Sequence, residues 1–216
     1  MPPRSRLSRD KILRAALAIV DEVGLDGLTV RGLTARLGVT PMAIYRHFES
    51  KGEILDCLLE VVIADAAPTA HSTSQPRAWL VESFTRMYDA LREHSAVIPL
   101  LGTSASWGFA AFEQVEAVFT VLEGAGLRPE EATRTFHALI AYTVGAAALQ
   151  NAAKTQADRL GKDPAAWKAA VRSRMDKAAE ARLPRVLRAA PHFASFASRK
   201  QFIAGLEAMV ASTPLR

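Results

Sequence analysis

Residues 40–51 read TPMAIYRHFESK, and within them Tyr45, Arg46 and His47 stand in a row between Thr40, Met42 and Lys51. A guanidinium such as that of Arg46 pairs with the acceptor edge of guanine or with a phosphate. The donors on Tyr45, His47, Thr40 and Lys51 suit phosphate oxygens. Upstream, Thr29 and Arg31 stand where a second helical stretch begins, and the free N–H groups of a helix start attract anions. This is chemistry for gripping a polyanion. Chemistry for turnover is not evident: the chain has no GxSxG, HExxH or phosphate-loop motif, so an enzyme is not expected.

Such a display needs a scaffold. No sustained period-two alternation occurs, whereas helical spacing recurs throughout. In residues 8–23, Ile12, Ala16, Ile19, Val20 and Val23 fall on one face, Ser8 can cap the start and Gly24 the end. Thr29 caps a second predicted helix, residues 30–37, with Leu33 and Leu37 inward. Gly38 closes it, and Thr40 caps a third with Pro41 at its first position, where a missing N–H costs nothing. Ile44 and Phe48 turn inward. Ser50 caps a fourth helix, Glu53 completes a capping box, and Ile54, Leu58 and Val62 follow. Residues 37–40 are then the Gly-containing turn of a helix-turn-helix, and the third helix is its recognition helix. Only a turn or two enters a groove, so it can be short; packing by its neighbours supplies the stability it lacks alone.

Beyond a loop at residues 68–77, an amphipathic helix carries Leu80, Phe84, Met87, Tyr88 and Leu91. A helix at 112–123 ends at Gly124, and Pro129 opens a long one to about Lys154. Residues 157–200 give the weakest pattern, and a last helix covers 202–210. In the long helix, Ala138, Ala141, Gly145, Ala148 and Ala152 form one stripe and Phe136, Ile140, Val144 and Ala147 another. A helix apolar on two faces is buried on two sides; a second copy of the chain or the centre of a monomer would serve. The expected fold is all-α, with a helix-turn-helix DNA-binding domain at 1–52 and an α-helical ligand-binding and dimerisation domain at 53–216.

The formal net charge is +5, and residues 1–51 hold nine Lys and Arg against five Asp and Glu. A basic end on a near-neutral body favours a polyanion at that end; Arg4, Arg6 and Arg9 read as a flexible basic arm. Cys57 is the single cysteine, which excludes a disulfide framework and a cysteine metal site and fits a reducing cytoplasm. No signal peptide is visible, and the longest apolar-rich run, residues 136–150, falls short of the ~18 residues of a span. Neither a membrane partner nor a cofactor is expected.

The run GLTVRGLTARLGVTPMAIYRHFESKGEILDCLL resembles the DNA-binding domain of the tetracycline-repressor (TetR) family. The resemblance implies DNA contacts at Thr29, Arg31, Thr40, Met42, Tyr45, Arg46, His47 and Lys51; packing against the first helix is the other use of Tyr45 and His47. The segments WLVESFTRMYDALREHSAVIPLLGT, VLEGAGLRPEEA, FHALIAYTVG and FIAGLEAMV resemble, in order, the effector domains nearest the tetracycline repressors themselves. That implies an all-α domain that forms a homodimer and holds a small-molecule effector. Pocket candidates by position are Met87, Leu91, Leu101, Trp107, Phe112, Phe136, His137 and Ile140, residues that would serve equally as plain core. Tetracycline repressors have a metal-liganding histidine just before their Leu-Gly-Thr turn. Leu100 stands there in this chain, so no metal is expected, and the expected effector is apolar or aromatic with a polar anchor at His94 or His137. The implied function is ligand-responsive repression at a palindromic double-stranded DNA operator, with release by the effector. An architectural or protein-interaction module on the same fold is the competing reading.

Overall fold

Ser8 accepts a hydrogen bond from the Lys11 N–H at 3.2 Å and starts the first helix, α1 (Arg9–Gly27). In the computed structural model, residues 7–68, 74–102, 109–159, 184–193 and 198–216 are described, with 165, 169, 172, 173 and 175–177. Helix α1 buries Ile12, Leu13, Ala16, Leu17, Ile19 and Val20. Gly24 breaks it with φ +78°, a left-handed conformation that favours glycine, and a short helical stretch continues past the kink. Val23, placed inward by spacing alone, is 60% exposed because the buried stripe ends at Val20, before the kink.

Thr29 caps α2 (Val30–Leu37) by accepting from the Gly32 N–H at 3.0 Å, and Gly38, at φ +65°, ends it. Helix α3 (Pro41–Tyr45) follows, with Ile44 fully buried. Its regular part is shorter than the spacing predicts. The chain keeps winding nonetheless, since the Arg46 N–H reaches the Met42 carbonyl at 3.2 Å and the Phe48 N–H reaches the Ile44 carbonyl at 3.1 Å. Ser50 then caps α4 (Lys51–Ala66), accepting from the Glu53 N–H at 3.2 Å. The returning half of the capping box is displaced by one residue: the Glu53 carboxylate accepts from the Glu49 N–H at 2.6 Å.

Arg9 is no mobile arm. Its guanidinium lies 4.1 Å from the centroid of the Phe48 ring, donates to the His47 carbonyl, and donates to the Glu53 carboxylate at 2.9 Å. One side chain at the start of α1 therefore fixes the exit of the recognition helix and the entry of α4. Arg4 and Arg6 lie outside the described residues.

The C-terminal half comprises α5 (Pro76–Glu93), a 3-10 segment (Ser95–Gly102), α6 (Phe109–Gly124), α7 (Pro129–Arg159), α8 (Pro184–Phe193) and α9 (Arg199–Ser212). Among the described residues no strand occurs. Helix α4 packs on α1 as well as on α5 and α6, so the boundary expected at residue 52 falls at the start of a helix that both halves share. An ion pair and a histidine–carboxylate contact brace this junction. Arg14 of α1 holds both oxygens of Asp65 at 3.0 and 3.2 Å, and His94, at the end of α5, meets Asp21 of α1 at 2.8 Å.

Three aromatic rings join α5, α7 and α9. Phe202 stacks on Tyr88 with ring centroids 4.0 Å apart and on Tyr142 at 5.5 Å. Arg77, at the start of α5, donates to the carbonyls of Val210, Ala211, Thr213 and Leu215 and so closes the C-terminal end of α9. Gly205 leaves the room the stack needs, because a Cβ there would stand 2.0 Å from the Tyr142 hydroxyl and 2.7 Å from its ring carbon. Helix propensity alone would favour Gly205→Ala by about 1 kcal/mol, whereas forcing atoms into a packed site costs about 1–3 kcal/mol. The expected outcome is a net loss of stability, read as a lower urea midpoint with an unchanged slope; a raised midpoint would show that the Tyr142 ring swings aside freely.

Candidate nucleic-acid interface and effector cavity

Helix α3 turns about 100° per residue, so burying Ile44 and Phe48, 0% and 2% exposed, sends the intervening side chains outward. Met42 is 66% and Tyr45 48% exposed, and Arg46 is exposed beside them. His47 and Lys51 are half-buried, while Thr29, Arg31 and Thr40 are exposed. Two large apolar side chains held in water next to a guanidinium suit a surface that reads base edges, where a methyl group is met by apolar contact and guanine by arginine. Thr29 uses an oxygen lone pair to cap α2 and keeps its hydroxyl proton to donate. Thr40 makes no side-chain cap bond to α3.

The basic residues divide by partner. Arg9 is committed to Glu53, Arg14 to Asp10 and Asp65, and Arg36 to Glu22. Among the described residues, Arg31, Arg46 and Lys51 enter no ion pair. These three cations stand on α2, at the end of α3 and at the first residue of α4, where a phosphate backbone would pass.

At the junction, the Glu49 N–H, and then Arg9, hold the Glu53 carboxyl below the usual carboxylate range. A carboxylate with a depressed folded value adds stability above its ordinary range, and that stability fades as pH falls through the lowered value. Burial pushes the neighbouring Cys57 thiol up, so it stays protonated. Its Sγ receives a hydrogen bond from Arg9 at 3.5 Å, and the side chain is half-buried instead of fully in the core.

Behind this face, α4, α5, α6 and α7, with the 3-10 segment, line a cavity of about 550 Å³. Of the pocket candidates, Met87, Leu91, Leu101, Phe136, His137 and Ile140 line it. Phe112 does not: it is 57% exposed, because Ala111, Gln114, Val115 and Val118 take the inward positions of α6. Trp107 lies outside the described residues. His94 is not on the described wall either, being held by Asp21, so of the two anchor candidates His137 is the one that lines the cavity. Leu100, 8% exposed, brings an aliphatic side chain to the wall and offers no metal donor. Among the described residues no cluster of three or more His, Cys, Asp or Glu could hold a metal ion.

Spacing missed the α4 wall, formed by Asp56, Leu59, Glu60, Val62, Ile63 and Ala66, together with Trp79 and Phe84 of α5. Apolar periodicity marks these positions as inward and does not tell a filled interior from an empty one. Asp56 and Glu60 were the available signal: two carboxylates, one turn apart, among the apolar residues of the middle of α4.

Known proteins resemble both halves of this arrangement. The model "Bacterial regulatory proteins, tetR family" matches residues 12–58, and "Tetracyclin repressor-like, C-terminal domain" matches residues 77–212. The tetracycline repressor protein class C of Escherichia coli is 32% identical over 166 residues, spanning 74% of this chain and 73% of its own length. The HTH-type transcriptional repressor DrrR1 of Streptomyces coeruleorubidus is 30% identical over 171 residues, 78% of this chain and 63% of its own. Among solved structures, the transcriptional regulator SCO7222, a TetR from Streptomyces coelicolor, superposes with a TM-score of 0.80 at 27% identity, covering 98% of this chain and all of that one. The TetR family protein ActR of Streptomyces coelicolor, in complex with actinorhodin, shares the fold with a TM-score of 0.77 at 20% identity, covering 97% of each chain. With the helix-turn-helix half and the cavity-bearing half each matched in order, the chain belongs to the TetR family of bacterial transcriptional regulators.

Proposed function

We propose that this regulator is a repressor that binds a palindromic DNA operator as a homodimer and leaves it when a small molecule fills the cavity. The observation that carries the reading is the double use of α4. Its first turn is tied through Glu53 and Arg9 to the end of the recognition helix, and its inner face walls the cavity. A ligand that favours one placement of α4 then changes DNA affinity, and DNA changes ligand affinity by the same factor. Arg31, Met42, Tyr45 and Arg46 face the base edges, and Thr29, Thr40, His47 and Lys51 position the phosphate backbone. The cavity residues are Met87, Leu91, Leu101, Phe136, His137 and Ile140. The class C tetracycline repressor and DrrR1 support repression by their kinship, and ActR with actinorhodin exemplifies a ligand held by this fold.

Dimerisation has its own support. On α7, Ala138 and Ala152 are exposed and Leu149 is 55% exposed, while Ala141 of the same stripe borders the cavity; on α9, Ala204, Ala208 and Ala211 are exposed. Small side chains let another helix approach closely, and a large apolar one left in water is a contact in waiting. A twofold pairing would set two recognition helices about 34–36 Å apart, the spacing of successive major grooves.

Selection of bound sequences from random duplex DNA, at a stated salt concentration, is expected to return an inverted repeat; a pool without sequence preference would favour an architectural role. On the selected duplex, Arg46→Ala is expected to cost about 1–3 kcal/mol and to relax one position in each half-site, measured by fluorescence anisotropy. An equal loss on every sequence would reduce Arg46 to a phosphate contact. Leu149→Glu is expected to give a monomer by light scattering and to lose operator binding with its helix content intact; a dimer that still binds would place the interface elsewhere.

A further inference from the structure

The charged side chains on the described cavity wall are Asp56 and Glu60, both acidic and one turn apart on α4. Neither Lys nor Arg appears among the described lining residues. Among the described residues Glu60 enters no ion pair. The rest of the wall is largely apolar and aromatic, with Trp79, Phe84 and Phe136 offering rings. Apolar surroundings strengthen a charge's interaction with whatever enters. An anion there is repelled by two carboxylates. A neutral ligand gains apolar burial and hydrogen bonds from groups such as Gln114, Thr133 and His137, and nothing from the wall's net charge. A cation gains the carboxylates and the negative faces of the rings together. The volume of about 550 Å³ lies in the range of about 300–1,000 Å³ that suits a drug-sized guest.

We propose that the effector is a lipophilic cation, an aromatic or apolar body whose ammonium or equivalent positive centre lies against Glu60 and Asp56. The assignment rests on the cavity being the effector site and adds the charge of its ligand. It also gives the ligand a purchase on the right helix. Glu60 lies two turns along α4 from Glu53, so a cation drawn to it acts on the stretch directly behind the Arg9 contact.

The test uses the full chain without DNA and three probes: tetraphenylphosphonium, its near-isosteric anion tetraphenylborate, and the neutral dye Nile red. Isothermal titration and Nile red displacement are expected to show tetraphenylphosphonium binding about tenfold or more tighter than tetraphenylborate. In the double variant Asp56→Asn, Glu60→Gln that preference is expected to vanish while Nile red still binds, which also reports an intact cavity. Nile red binding with no preference for the cation overturns the charge assignment and leaves the cavity reading standing. A preference that survives in the double variant overturns it as well. If none of the three probes binds, the cavity reading falls, and the charge assignment with it.

Discussion

The side chain of Arg9 carries the constraint on which the DNA-contacting end depends. Helix α3 has five residues, far below the roughly 12–15 at which an isolated helix becomes even marginal in water. Its exit is held from outside. Arg9 stacks on Phe48, binds the last turn through the His47 carbonyl, and reaches Glu53 across the corner. Each contact is partly exposed and individually modest. Together they fix the angle between recognition helix and α4 using one side chain from a third helix. The same carboxylate caps the backbone at Glu49, so the corner has few ways to relax without breaking two interactions at once.

That corner matters because α4 belongs to two structures. Towards α1 it presents Ile54 and Leu58, fully or almost fully buried. Further along, Leu59 and Ile63 border the cavity, and Val62, 1% exposed, joins the core at its edge. A packed interface resists small shifts, since interiors are close-packed, whereas a wall over empty space can be moved by whatever fills it. The Arg14–Asp65 and Asp21–His94 pairs tie α1 to the far end of α4 and to the end of α5. The helix-turn-helix thus rides on elements that border the cavity.

Much of this could be read from residue types. Caps at Ser8, Thr29 and Ser50, stops at Gly24 and Gly38, and the inward pair Ile44 and Phe48 follow local rules, and each is found where those rules place it. What escaped was tertiary. Arg9 reads as one of three basic residues in an arm, and nothing in its neighbours reveals that Phe48 and Glu53 come to it from 39 and 44 positions away. The α4 wall escaped because an inward apolar residue looks the same whether it meets side chains or a void. Phe112 misled for the opposite reason: an aromatic at the start of a helix invites an inward placement, and the helix turns it out.

In the proposed mechanism, cavity and DNA-contacting corner share α4 and communicate through Arg9. Hydrogen exchange of the backbone amides, with and without saturating Nile red, tests it in the wild-type chain and in Arg9→Met. Filling the cavity should alter protection at Glu49 and Glu53 in the wild type, while in Arg9→Met the change should stop short of Glu49. A response confined to residues 56–66 in both chains would contradict the account.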